Sequence, residues 1–166
     1  MLRLIEDHEV ETLRRWRNHP RVRAASFTTH EIRRAEHACW WAGIRDDPSR
    51  RVLIYEHAHT ATGVVTFTGL GSAERSAHWG FYLDLAALER SKQLLNAWIG
   101  IERAAIGHAF DTLDLLVLRG ELLAESMAVR RLHHRFGFVE VGAHHRNVDG
   151  VMREVVEMRL DRADAR

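Results

Sequence analysis

His133 stands in the run Arg131-Leu-His-His-Arg135, just ahead of Phe136-Gly137-Phe138. A free imidazole has a pKa of about 6.5, so this side chain can give or take a proton near neutrality. It is equally legible as a polar helix residue in a chain that holds 12 histidines. Metal chemistry is not expected. The pairs His57-x-His59, His133-His134 and His144-His145 are too close or too isolated for a zinc set, and no cysteine or carboxylate completes one. No Ser-His-Asp order stands out. Lys92, the sole lysine, reads as a solvated residue in the first turn of a helix. Arg17 reads as a charge that complements a helix C-terminus, and Asn18 as a turn residue before His19-Pro20.

The elements around His133 are well marked. Leu115 to Leu118 with Leu122 and Leu123 form an apolar run suited to a strand covered on both faces. Ser126 is the expected N-cap of a helix in which Ala128, Leu132 and Phe136 repeat at helical spacing. Gly137 ends that helix, and Phe138-Val-Glu-Val141 alternates like the next strand. Ahead of this unit, Leu2 to Ile5 reads as a short strand. A helix follows from Asp7 or His8 to Asn18, and Val22 to Phe27 is either a short helix or extended. A helix capped by Thr29 carries Ile32, Glu36, Cys39 and Trp40. Strands are expected over 51–56, 64–68 and 76–84, and a long helix over 88–113. Leu94, Leu95, Trp98, Ile101, Ala105, Ile106, Ala109 and Phe110 are its expected buried side. Asn147-Val-Asp-Gly150 marks a hairpin turn before a last strand over 151–160. Residues 161–166 are expected to fray. This order gives an α+β chain with a mixed sheet.

At 166 residues the chain is expected to form one domain, 1–166. The net charge of +1 gives no reason to expect a nucleic-acid partner, since acidic residues are interspersed among the arginines. No apolar run is long enough for a bilayer, so no membrane partner is expected. Cys39 is the only cysteine, which excludes an internal disulfide and fits a reducing compartment. Met1-Leu-Arg-Leu4 does not read as a secretory signal, and a cytoplasmic location is expected.

The segment Arg131-Leu-His-x-x-Phe-Gly-Phe138, preceded by Trp16-Arg17-Asn18, His30-Glu31-Ile32 and Trp79-Gly80-Phe81-Tyr82-Leu83 in that order, resembles the GCN5-related N-acetyltransferases. Within that superfamily it is most similar to amino-sugar N-acetyltransferases of the pseudaminic-acid pathway. Enzymes that acetylate the N-termini of ribosomal proteins come next. The resemblance implies a mixed, mostly antiparallel central sheet flanked by helices, with two splayed central strands. It implies acetyl-CoA as co-substrate, lying in the splay along a bulged strand over 78–84. Phe81, Tyr82 and Leu83 would line that arm, with a backbone N–H near Tyr82 or Leu83 as the oxyanion donor. His133 takes the place of the family's tyrosine as the acid for the leaving thiolate, and Ser126 that of an asparagine at the pantetheine arm.

One departure from the family stands out. Its glycine-rich pyrophosphate loop is replaced by Leu88-Glu-Arg-Ser-Lys-Gln-Leu-Leu95, without glycine. Either Arg90, Ser91, Lys92 and Gln93 hold the pyrophosphate, or CoA binding is weakened or lost. On the acceptor side the resemblance points to Arg17, Asn18 and His30, with Arg17 able to grip a nucleotide diphosphate in bidentate fashion. The expected activity is N-acetylation of a small-molecule amine, foremost a nucleotide-linked amino sugar. A peptide N-terminus as acceptor, and a non-catalytic relative, stay open alternatives. A homodimer is left open.

Overall fold

A computed structural model describes residues 1–165. The chain runs β1 (Leu2–Leu4), a 3₁₀ turn (Asp7–Glu9), α1 (Val10–Arg17), α2 (Pro20–Ala24), α3 (Arg34–Ile44), β2 (Arg50–His57), β3 (Thr60–Thr68) and β4 (Ser76–Leu83). It continues with α4 (Leu85–Arg90), α5 (Leu94–Gly107), a π-turn (His108–Thr112), β5 (Val117–Leu123), α6 (Met127–Arg135), β6 (Val139–Val148), β7 (Val151–Asp161) and a closing 3₁₀ turn (Arg162–Asp164). One sheet holds all seven strands in the order β1-β2-β3-β4-β5-β7-β6. Every pairing is antiparallel except β4 with β5.

Alternation along the strands sets the two faces. Leu53, Tyr55, Val65, Phe67, Trp79, Leu83, Leu118 and Leu122 pack with Ala97, Ile101 and Ala105 of α5 and with Leu132 of α6 in the main core. Val52, Ile54 and Val64 face the other way, onto Leu13 of α1 and partly covered Trp16, Trp40 and Trp41. Gly100 lets α5 approach β2: a Cβ there would lie 2.0 Å from the Tyr55 hydroxyl.

Four local expectations are corrected. The long helix is two helices, broken at Ser91–Gln93, where Lys92 takes φ +58. Leu95 is not on its buried side but 66% exposed. Thr29 caps no helix, because its amide and hydroxyl both bind Asp149 Oδ2, at 2.6 and 2.7 Å. Residues 29–33 form no helix, and α3 starts only at Arg34. Finally, the C-terminal segment does not fray over 161–164. Arg162 donates its amide to Leu116 (2.9 Å) and its guanidinium to Asp114 (2.9 Å).

Gly137 has φ +99, and a Cβ on it would lie 2.6 Å from the Asp164 carbonyl oxygen. Gly137→Ala therefore combines backbone strain with a clash against main chain. It is expected to cost at least about 2 kcal/mol, read as a fall in urea midpoint without a change in slope.

Candidate active site

β4 and β5 pair over only four positions, from Ser76 opposite Val117 to Trp79 opposite Gly120. Beyond that point each keeps its outer partner. β4 stays on β3 as far as Leu83 opposite Gly63, and β5 stays on β7 as far as Leu123 opposite Val155. The result is a fork that opens from Trp79 and Gly120 toward Leu83 and Leu123. The expected bulge in β4 is absent, since its register with β3 runs without a shift. The fork needs none, because the strands simply part.

The register also says which amides face the opening. The Asp84 amide donates to the Thr62 carbonyl at 2.7 Å. Antiparallel alternation then turns Tyr82 and Gly80 toward β3, and Phe81 and Leu83 toward the slot. The Tyr82 amide is therefore not the free donor; those of Phe81 and Leu83 are. Opposite them, Ala124 donates to Glu154 (2.9 Å), so Glu121 and Leu123 present the β5 edge. Unpaired strand edges inside a protein need a hydrogen-bonding partner.

The α5 side of the fork is lined by aromatic rings. Trp79 stacks on Phe81 and Phe138, with centroids 5.5 and 5.8 Å apart, and His133 lies 5.4 Å from Trp79 and 4.9 Å from Phe138. Gly120 makes room, since a Cβ on it would sit 3.3 Å from Trp79 Nε1. His133 is buried, 5% exposed. Its Nδ1 lies 2.5 Å from Oε1 of Glu102, a wholly buried residue of α5. Glu102 Oε2 has no partner. Burial pushes the Glu102 carboxyl up and the neighbouring His133 pulls it back down. Engaging Nδ1 leaves Nε2 as the nitrogen available for proton transfer.

The helix that carries Glu102 begins at the open end of the fork. Gln93, its N-cap, meets His57 at the end of β2 (3.4 Å), while His108 at its far end stacks on Phe67, which pairs with Trp79. The first helical bond is Ala97 to Gln93, at 2.9 Å. The amides of Leu94, Leu95 and Asn96 are thus free for an anion. The left-handed Lys92 supplies the turn that glycine gives elsewhere.

No protein-family model matches the sequence, and no curated protein matches it. Solved structures do. The structure is similar over 99% of its length to the spermidine N-acetyltransferase from Vibrio cholerae in complex with CoA and spermine, with a TM-score of 0.85, 18% identity and 96% of that chain covered. It is also similar to Mycobacterium smegmatis RimJ in complex with CoA-disulfide, with a TM-score of 0.81 and 18% identity over 96% of this chain and 80% of that one. The chain has the fold of the GCN5-related N-acetyltransferases.

Within this fold the other candidates fall into place unequally. Ser126 precedes α6 at the N-cap position, but its hydroxyl makes no capping bond. The Ser91 hydroxyl is spent on the carbonyls of Ala87 and Leu88, at 3.0 and 3.2 Å. Arg90 and Lys92 are exposed beside the α5 N-terminus, and the Gln93 carboxamide meets His57 and Asn96. Asn18 is consumed structurally: its carboxamide binds both the amide and the carbonyl of Ile32, at 2.8 and 2.9 Å. His30 lies at the surface, 2.9 Å from Glu36, apart from the fork. Arg17 lies on α1, which packs against β4, and its charge partly offsets the burial that pushes the Tyr82 phenol up.

Glu102 is the residue that sequence reasoning missed. Its only signal was a carboxylate one position after Ile101, on the apolar side of a helix. The structure also gathers Glu121, His144 and Glu157 from three strands, with ligand atoms within 4.8 Å of one another. Arg146 already binds Glu121 (2.8 Å) and His144 binds Glu157 (3.0 Å), which accounts for them as an ion-pair ladder.

Proposed function

We propose that the protein is an acyl-CoA-dependent N-acetyltransferase that passes the acetyl group of acetyl-CoA directly to the amine of a small molecule. The fork carries this reading. A pantetheine arm laid in it as a surrogate strand would satisfy the edges of Phe81 and Leu83, and the Leu83 amide is placed to hold the developing oxyanion. The amides of Leu94, Leu95 and Asn96 receive the pyrophosphate, with Arg90 and Lys92 adding charge.

The neutral amine attacks the thioester carbonyl, the C–S bond breaks, and the thiolate takes a proton from Nε2 of His133. The Glu102 carboxylate stabilises the imidazolium that supplies this proton. By register, Glu121 follows the last paired position of β5 and shares the face of Tyr82. Its Oε2 is held by Arg146 (2.8 Å), which leaves Oε1 to take the proton that the amine releases.

A small acceptor is favoured over a peptide because the 25–33 segment crosses the acceptor face. Phe27 packs on Leu123, Val148 and Val155, and Thr29 is tied to Asp149. A through-running chain would have to displace it. Among small amines, a nucleotide-linked amino sugar remains the acceptor that the sequence resemblance favours. Among the described residues no helix is long and apolar enough to cross a membrane. The single cysteine is free, in keeping with a cytoplasmic setting.

Calorimetry with acetyl-CoA and a thiol-release assay over a panel of amines test the proposal. Saturable binding with amine-dependent thiol release is expected. Failure to bind acetyl-CoA would leave the fold without the reaction.

A further inference from the structure

We infer that the acceptor carries an anionic group, a phosphate or a carboxylate, held by Arg17 and Arg23 beside Tyr82. This rests on the acetyltransferase reading and narrows its substrate class. Arg17 Nη1 and Arg23 Nε are buried without any hydrogen-bond partner. The one bond from the Arg17 guanidinium runs from Nη2 to the Thr28 carbonyl, at 3.1 Å. Among the described residues, no carboxylate lies within 4 Å of either arginine. By contrast, Arg14 pairs with Glu11 (2.7 Å) and Arg21 with Glu89, while the exposed Arg15 bonds the Thr12 hydroxyl (2.8 Å).

A guanidinium holds its proton even when desolvated, so a buried one without a counter-charge is costly. Desolvation pulls the Arg17 guanidinium down, and the neighbouring Arg23 charge pulls it the same way. Folding alone has no use for that repulsion. A ligand anion would remove it and satisfy both orphaned N–H groups, and α1, which carries Arg17, packs against β3 and β4, the strands on one side of the transfer slot. The same pair of charges disfavours a polyamine, although the Vibrio cholerae relative is a spermidine N-acetyltransferase seen with spermine.

The test uses the full chain and three amines: glucosamine 6-phosphate, a free amino acid, and spermidine, with glucosamine as the neutral reference. Binding is read without acetyl-CoA, by calorimetry and by the shift in Tm. Glucosamine 6-phosphate or the amino acid is expected to bind about tenfold or more tightly than glucosamine, and spermidine not at all. Whichever of the two binds names the anion. The Arg17→Gln/Arg23→Gln variant is expected to lose this preference and, free of ligand, to melt at a higher temperature than the parent. Arg21→Gln, which breaks an exposed pair, keeps the preference. Equal affinity for charged and neutral amines, tighter binding of spermidine, or a preference that survives in the double variant would overturn the inference. Should the anion bind while no amine releases thiol from acetyl-CoA, the transferase reading fails and the anion site stands.

Discussion

Replacing His133 with phenylalanine is expected to lower turnover by about a hundredfold or more, the usual worth of a positioned acid, with acetyl-CoA affinity kept. Phenylalanine preserves the ring that packs on Trp79 and Phe138, so the aromatic lining survives. The variant removes the proposed proton source and, among the described residues, the one side chain that bonds Glu102. Burial already pushes that carboxyl up, and only His133 pulls it down. Without the imidazole it will hold its proton and stay neutral, leaving an unsatisfied buried group worth about 1–3 kcal/mol.

The pH dependence has a definite sign. A carboxyl whose folded pKa lies above its unfolded value contributes stability that is complete at low pH. That stability is lost as pH rises through the folded pKa. The variant should thus weaken between mildly acidic and alkaline pH, where the parent, with its paired carboxylate, weakens less. Melting curves across that range check this. Glu102→Leu added to His133→Phe should restore stability without restoring turnover. Turnover in the single variant equal to that of the parent would remove His133 from the mechanism.

What the sequence made legible was local. The strand expected over 76–84 is β4 (Ser76–Leu83), and Asn147-Val-Asp-Gly150 marked a hairpin, where Asp149 and Gly150 both take positive φ. The fork was not legible in any pattern, because an open strand edge has the same composition as a paired one. It was reached only through a family resemblance, which the similar solved structures then supported at the level of fold. Glu102 was hidden because a lone carboxylate beside Arg103 looks like a solvated pair. Its partner is 31 residues away. Thr29 was misread because Asp149, 120 residues on, outcompetes a helix for its hydroxyl. The break at Lys92 was missed because glycine or asparagine announces a left-handed residue in sequence and lysine does not.

That break leads to the second large effect. Leu94→Pro is expected to weaken acetyl-CoA binding about 10- to 100-fold, the worth of one hydrogen bond to a charged group, with kcat at saturation little changed. Proline is tolerated at the first helical position, where the amide has no helical partner. Gln93, at φ −103 and ψ 2, must turn toward the extended region and the Leu94 packing is lost, so Leu94→Ala, which keeps the amide, is the control. Because the first helical bond of α5 is made by Ala97, circular dichroism should show the helix intact. The lost N–H is one of three aimed at the proposed pyrophosphate, far from the chemistry at His133. The loss therefore falls on ground state and transition state alike and appears in KM. Lys92→Gly separates conformation from charge at the same turn. It relaxes φ +58 and should raise stability by about 1 kcal/mol, while any loss of affinity reports the lysine alone. Undiminished affinity in Leu94→Pro would place the pyrophosphate elsewhere. The glycine-free turn would then be a structural break between α4 and α5, and CoA would be held by the fork alone.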